Sequence, residues 1–433
     1  MLRKRSVFTE LEHYFNDDWK VTGKFSYTSN SVMTRMGGAS STSTVLSPSS
    51  PNIAGHISDR FDNGGYQIAG SVNLTGKYHL FGRSHDLFGT LSLSKEHMSS
   101  TEGYYDASDA FYNGYTFRPW MIAQPDWESP YWRANYRNSF FQRALQLGTR
   151  YNFTDKWHLI AGGRYTNFTH YNLADEHNLR RSRSWLTSTK THRGKVVPYL
   201  GLTWDVMPES SLYASYTEIF KPQSYRDENH RTLDPVTGTN YEAGLKQTWF
   251  DRRLNTSVAL FRITQKNRPI YDSDVNAYHA EGLVRSRGVD FEISGEVLKD
   301  WNVFLGYTFN KSEYRETEGR RYQKGGNFSL HTPKHMFRLY TSYRLPGAAH
   351  AWTLGGGVSA QTNTSSLYGV KRGGYAIYNA NVQYDLNKHC RVSLIGSNLT
   401  DRKYYYNQRV STSGMNNYYG EPRSLWLKVD LKY

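Results

Sequence analysis

A single cysteine, Cys390, leaves this chain no internal disulfide and no cysteine-built metal site. That scarcity suits many compartments and selects none. No stretch of 18 consecutive apolar residues occurs, which excludes a membrane-spanning helix. No secretory leader is visible: Met1-Leu2-Arg3-Lys4-Arg5 is basic, but Ser6-Val7-Phe8-Thr9-Glu10 is no apolar core. Proline-rich and Gly/Ser-only linkers are missing, and no shift in composition divides the 433 residues. A soluble protein of this length would split into two or three domains, and the sequence gives no place to cut. Enzymatic patterns are poor. His13, His79, His97 and His335 have no partner at metal-ligand spacing, and Gly355-Gly356-Gly357 falls inside an expected strand rather than a phosphate loop. No enzyme activity, catalytic residue, direct metal ligand or resident cofactor is expected.

What is abundant is tyrosine. Aromatic residues make up 15%, with 35 Tyr against 20 Phe and 11 Trp, yet only 38% of residues are hydrophobic. Mean hydropathy is -0.72. A transmembrane barrel reconciles these values, because every second strand residue faces lipid and the others line a wet lumen. Tyrosine, an apolar ring with a polar tip, suits the rim between lipid and water. The net charge of +15 admits nucleic acid, an anionic surface or an acidic ligand. Much of it falls in expected loops, such as Arg180-Arg181-Ser182-Arg183. It reads as solvated loops facing anionic lipid headgroups, with no nucleic-acid partner.

Two-residue alternation recurs along the whole chain. In Leu425 to Tyr433 the odd positions are Leu, Leu, Val, Leu and Tyr, and the even ones Trp, Lys, Asp and Lys. Side chains of a strand point alternately to opposite faces, so one face suits lipid and the other water. Met336–Leu345 and Tyr378–Leu386 repeat the pattern. Seventeen such strands are predicted at about 7–15, 19–32, 65–79, 86–100, 138–153, 157–172, 195–206, 210–221, 239–250, 253–269, 279–298, 301–314, 334–345, 351–365, 375–386, 390–400 and 424–433. Short turns such as Asn16-Asp17-Asp18, Thr154-Asp155-Lys156 and Asn387-Lys388-His389 alternate with long segments at about 33–64, 101–137, 173–194, 222–238, 315–333 and 401–423. Short periplasmic turns and long extracellular loops are the asymmetry of outer-membrane barrels. The fold expected is therefore all-β, a transmembrane antiparallel β-barrel. Bacterial barrels have even strand counts, so seventeen implies a chain that begins partway through one.

Several segments resemble the TonB-dependent siderophore receptors. They are Ser211-Leu212-Tyr213-Ala214-Ser215-Tyr216-Thr217-Glu218-Ile219-Phe220-Lys221-Pro222, Asn240-Tyr241-Glu242-Ala243-Gly244-Leu245-Lys246, Leu260-Phe261-Arg262-Ile263, Val284-Arg285-Ser286-Arg287-Gly288-Val289-Asp290-Phe291-Glu292 and Asn398-Leu399-Thr400-Asp401-Arg402-Lys403-Tyr404-Tyr405. Their order and spacing extend the resemblance over essentially the whole chain, nearest to receptors for hydroxamate-containing siderophores such as coprogen, ferrioxamine or pyoverdine. The resemblance implies a 22-stranded barrel occluded by an N-terminal plug, of which these would be the last 17 strands. Residues 1–433 are then barrel domain, without the plug, the TonB-contacting segment or the first five strands. It further implies a bacterial outer-membrane location and ferric siderophore import energised through TonB in the full-length parent. Iron would enter only as the ferric siderophore ligand. Leu425, Leu427, Val429, Leu431 and Tyr433 fit the C-terminal signal read by the outer-membrane assembly machinery, with Tyr where Phe is usual.

Capturing a bulky ferric complex needs aromatic faces for its apolar parts and cations for its anionic ones. Segment 103–136 is dense in both, with Tyr104, Tyr105, Tyr115, Trp120, Trp127 and Trp132 alongside Arg118 and Arg133. Trp120 and Trp127 are the leading candidates, since indole offers a large face and a donor. Aromatic girdle or loop packing is the competing reading of the same residues. Tyr225, Arg226, Tyr271, Tyr322, Tyr368 and Tyr404-Tyr405-Tyr406 are further candidates. The partners expected are a ferric siderophore, outer-membrane lipid and lipopolysaccharide, TonB through the plug, and the assembly machinery. A passive porin-like barrel, a haem or cobalamin receptor of the same family, and a non-functional gene product stay open as alternatives.

Overall fold

The structure, a computed structural model, describes residues 2–41, 52–104, 111–113, 116, 118, 121, 126–127, 132–178, 182–223, 225–229, 231–272, 275, 277–317, 323–365, 371–407 and 418–432. Seventeen long strands account for most of these: β1 Leu2–Tyr14, β2 Trp19–Ser41, β3 Asn52–Leu80, β4 Arg83–Tyr104, β5 Trp132–Asn152, β6 Trp157–Asn178, β7 Ser182–Met207, β8 Ser210–Lys221, β9 Val236–Trp249, β10 Leu254–Asp272, β11 Ala277–Leu298, β12 Trp301–Glu316, β13 His335–Arg344, β14 Trp352–Gln361, β15 Tyr375–Asn387, β16 Cys390–Ser397 and β17 Ser424–Leu431. They belong to one sheet, and every register described in it is antiparallel between chain neighbours. Two compact units are present, Met1–Thr149 with Gly162–Val197, and Arg150–Ala161 with Pro198–Tyr433.

The alternation of the sequence becomes an alternation of faces that inverts the soluble pattern. Leu91 and Leu93 on β4, Leu145 and Leu147 on β5, and Leu425, Leu427, Val429 and Leu431 on β17 are all exposed. Apolar stripes of this extent are stable only against lipid. On the opposite face polar groups satisfy one another. Thr90 donates to Asn73 at 2.9 Å, and Tyr340 to Asn381 at 2.9 Å.

In the second unit, aromatic residues collect on the lipid-facing stripe next to the short turns. Trp157 and Trp204 stack at 5.2 Å, Trp301 lies 6.1 Å from Tyr343, and Trp352 lies 4.5 Å from Tyr384. This is the periplasmic girdle of a membrane barrel, with amphipathic rings at headgroup level.

The resemblance motifs have local structural reasons. Tyr213 of β8 stands opposite Gly244 of β9 in the register. A side chain at 244 would strike the Tyr213 ring and the Val258 carbonyl. With that space empty, the ring lies flat across the strand, its hydroxyl donates to Glu242 at 2.6 Å, and Lys246 sits 5.2 Å from its centroid. Replacing Tyr213 by Phe keeps the ring and removes the donor. The expected cost is about 1 kcal/mol, since Glu242 can find water in the lumen; urea unfolding in lipid vesicles measures it.

The structure departs from the expected boundaries on the loop side. Strand β2 continues to Ser41, β3 begins at Asn52, β6 reaches Asn178 and β7 begins at Ser182, so much of the expected loops 33–64 and 173–194 is strand. In the sequence of these extensions polar residues fall at odd and even positions alike, and an apolar alternation has nothing to register there. A tight turn at Phe81-Gly82, both at positive φ, joins β3 to β4 without a polar cluster to announce it. Strand β16 stops at Ser397, short of residue 400, because Asn398 takes φ +48° and starts a turn. Likewise β14 ends at Gln361, with Thr364–Ser365 pairing separately with Lys371–Arg372.

Candidate ligand-binding surface on the loop side

In the first unit the loop-side ends of β2, β3 and β4 position the aromatic segment. Phe111–Asn113 pairs with the start of β3, Ile53 facing Tyr112 in the register. Trp127 is half-buried between two arginines. The Arg35 guanidinium lies 4.9 Å from its ring centroid, and Arg60 donates to its carbonyl at 2.9 Å. Arg60 is fixed in turn by Asp62 at 2.9 Å. Trp127 is therefore held by cations from β2 and β3, its ring by Arg35 and its carbonyl by Arg60. Arg118 is exposed, its Nη1 donating to the Thr116 carbonyl at 3.3 Å, and Arg133 is exposed on β5. Tyr104 ends β4 with its backbone opposite Asp59, and Trp132 opens β5; their side chains lie outside the described residues. Tyr105, Tyr115 and Trp120 lie outside them altogether, as do Tyr322, Tyr368 and Tyr433, the last position of the expected assembly signal.

The second unit carries a tighter cluster. Asn398 and Asp401, both at positive φ, form a turn after β16. The Asn398 amide donates to the carbonyls of Arg402 and Glu421, each at 3.0 Å, and its oxygen accepts from the Arg402 amide at 2.8 Å. Asp401 accepts from the Arg423 amide at 3.0 Å. The near-terminal resemblance motif is thus a staple that sets where Arg402, Lys403, Tyr404 and Tyr405 stand. Tyr404 meets Tyr375 at 4.7 Å, and Tyr405 stacks on Tyr419 at 4.4 Å. Arg372, from the short Lys371–Arg372 strand, lies over the Tyr405 ring at 3.1 Å. Its Nε and Nη1 are buried and have no hydrogen-bond partner among the described residues. Arg372, Arg402, Lys403, Tyr375, Tyr404 and Tyr405 line a cavity of about 300 Å³.

Sequence reasoning singled out Tyr404 and Tyr405 but not Arg372, Arg402, Lys403 or Tyr375. A cationic pair directly before Gly373-Gly374 was the available signal. Tyr225, another candidate, packs on Tyr278 at 4.5 Å, and burial holds the neighbouring Arg226 guanidinium below its ordinary pKa. The arrangement suits a ligand that is anionic and carries planar or apolar parts: guanidinium for charge, phenol rings for faces.

Exposed apolar stripes and a girdle at the short turns define an outer-membrane β-barrel, which carries aromatic–cationic clusters at its loops. The family described as TonB dependent receptor-like, beta-barrel, matches residues 3–399, and the chain belongs to it. It is 31% identical to the ferric-pyoverdine M114 receptor PbuA of Pseudomonas sp. (strain M114), over 99% of this chain and 52% of that protein. It is 26% identical to the ferrioxamine B receptor of Salmonella typhimurium (strain LT2), over 93% of this chain and 55% of that protein. Among solved structures, the ferripyoverdine receptor of the Pseudomonas aeruginosa outer membrane, bound to ferripyoverdine, superposes with a TM-score of 0.83 at 26% identity. That match covers 99% of this chain and 56% of that one. The chain spans about half the length of the curated relatives it matches.

Proposed function

We propose that this chain is the barrel portion of a receptor that imports ferric siderophores of the hydroxamate-containing kind, coupled to TonB through a plug. The observation that carries this reading is Arg372: a guanidinium with two buried, unbonded nitrogens, stacked on Tyr405 beside a cavity that Arg402 and Lys403 also line. An unbonded buried donor is costly, and an anionic group on the ligand would satisfy it. The names of the relatives, receptors for ferric-pyoverdine and ferrioxamine B, support the same class of ligand. In the first unit, Trp127 and the exposed Arg118 and Arg133 are proposed as further contacts.

Outer membranes from cells carrying the gene, titrated with a panel of ferric siderophores, are expected to show saturable tryptophan quenching with at least one. Arg372→Gln should weaken that binding about ten-fold or more, the worth of one hydrogen bond to a charged group. No saturable response to any member would overturn the proposal. A passive pore for anions would give that null result while still passing solute.

A further inference from the structure

The register aligns three cations in one row on the lipid-facing stripe. Arg262 of β10 stands opposite Arg287 of β11, and Arg287 opposite Lys311 of β12. All three are exposed. The row directly beneath is apolar, Leu260 opposite Val289 opposite Phe309, so lipid contact ends and charge begins within one step of the pleat. The depth follows from the girdle. Trp301 and Lys311 lie on the same face of β12. Ten residues at about 3.4 Å, tilted by about 40°, rise about 26 Å, close to the apolar band of about 25 Å. The row therefore sits at the headgroups of the outer leaflet.

Like charges directly opposite each other in an antiparallel pair are destabilising. The one carboxylate in the row above, Glu313, is already engaged by Arg285, by Arg315 at 3.4 Å and by Lys311 at 3.6 Å. No ion pair within 4 Å engages Arg262 or Arg287 among the described residues, and Glu313 reaches Arg287 only through space. We propose that Arg262, Arg287 and Lys311 bind the phosphate of an outer-leaflet lipid, whose acyl chains lie against Leu260, Val289 and Phe309. Phosphate supplies a directly bonded anion for the arginine pair, and the apolar row supplies the contact that a free anion could not use.

The test uses the full chain purified in neutral detergent, with native mass spectrometry as readout. The probes are lipid A carrying its phosphates and the same lipid after dephosphorylation. The wild type is expected to hold the phosphorylated lipid and not the dephosphorylated one. Arg262→Gln with Arg287→Gln should bind about thirty-fold more weakly, at about 1 kcal/mol for each arginine. Thermal unfolding gives a second measurement. Phosphorylated lipid should raise the wild-type Tm and leave that of the double variant unchanged. Without lipid, the double variant should unfold at the higher temperature, relieved of its like-charge contact. If the double variant fails to insert, Arg287→Gln alone should show a loss of about five-fold. Equal binding by wild type and variant would overturn the proposal. So would displacement by inorganic phosphate at the affinity of the lipid, which would mark a site for a free anion.

Discussion

Replacing Gly288 by valine is expected to abolish most of the inserted, heat-modifiable form of the protein. Gly288 lies on the lumen face of β11 between Phe261 of β10 and Asn310 of β12. A Cβ there would fall on the Phe309 carbonyl oxygen, with the Phe261 ring close on the other side. A side chain in the way could rotate; a carbonyl in a ladder cannot. The strand must therefore give up pairing on one edge, at about 3 kcal/mol or more. The measurement is the fraction that migrates as the folded form on unheated gels, after equal synthesis. An unchanged folded fraction would mean that the backbone approach at Gly288 is not what that residue supplies.

A second large effect is expected from Leu305→Arg. Leu305 is on the lipid-facing stripe of β12, opposite Ile293 and Leu339, roughly midway between Trp301 and Lys311. A guanidinium at mid-bilayer should cost about 2–4 kcal/mol. The contrast is Thr308→Arg, three residues on but facing the lumen opposite Asp290, where the added charge meets water and a carboxylate. Its effect should stay within about 1 kcal/mol. Urea unfolding in lipid vesicles compares the two. Equal losses would contradict the assignment of faces on β12.

The lipid-embedded part of the fold was legible in the sequence because hydrocarbon imposes a pattern that nothing else does. Strand β8 occupies the predicted 210–221, and β12 the predicted 301–314 with two residues more. Beyond the bilayer that pressure ends. The stretches that carry β2 to Ser41 and β7 back to Ser182 are strand by backbone, and their sequences look like loop. The candidate site was less legible for a related reason. Tyr404 and Tyr405 stand in a recognisable motif, but Arg372 gains its meaning from a ring far along the chain, and only the fold brings them together. The motif could be read from Asn398 and Asp401, yet their work, bonding backbone amides and carbonyls across a turn, is visible only in coordinates.

Because apolar residues alternate with polar ones, no stretch of the nascent chain resembles a helical membrane anchor. A machinery that retains long apolar helices finds none to hold in such a sequence. The barrel's greasiness is created by strand pairing rather than carried in with the chain, and so emerges only at the membrane where it belongs.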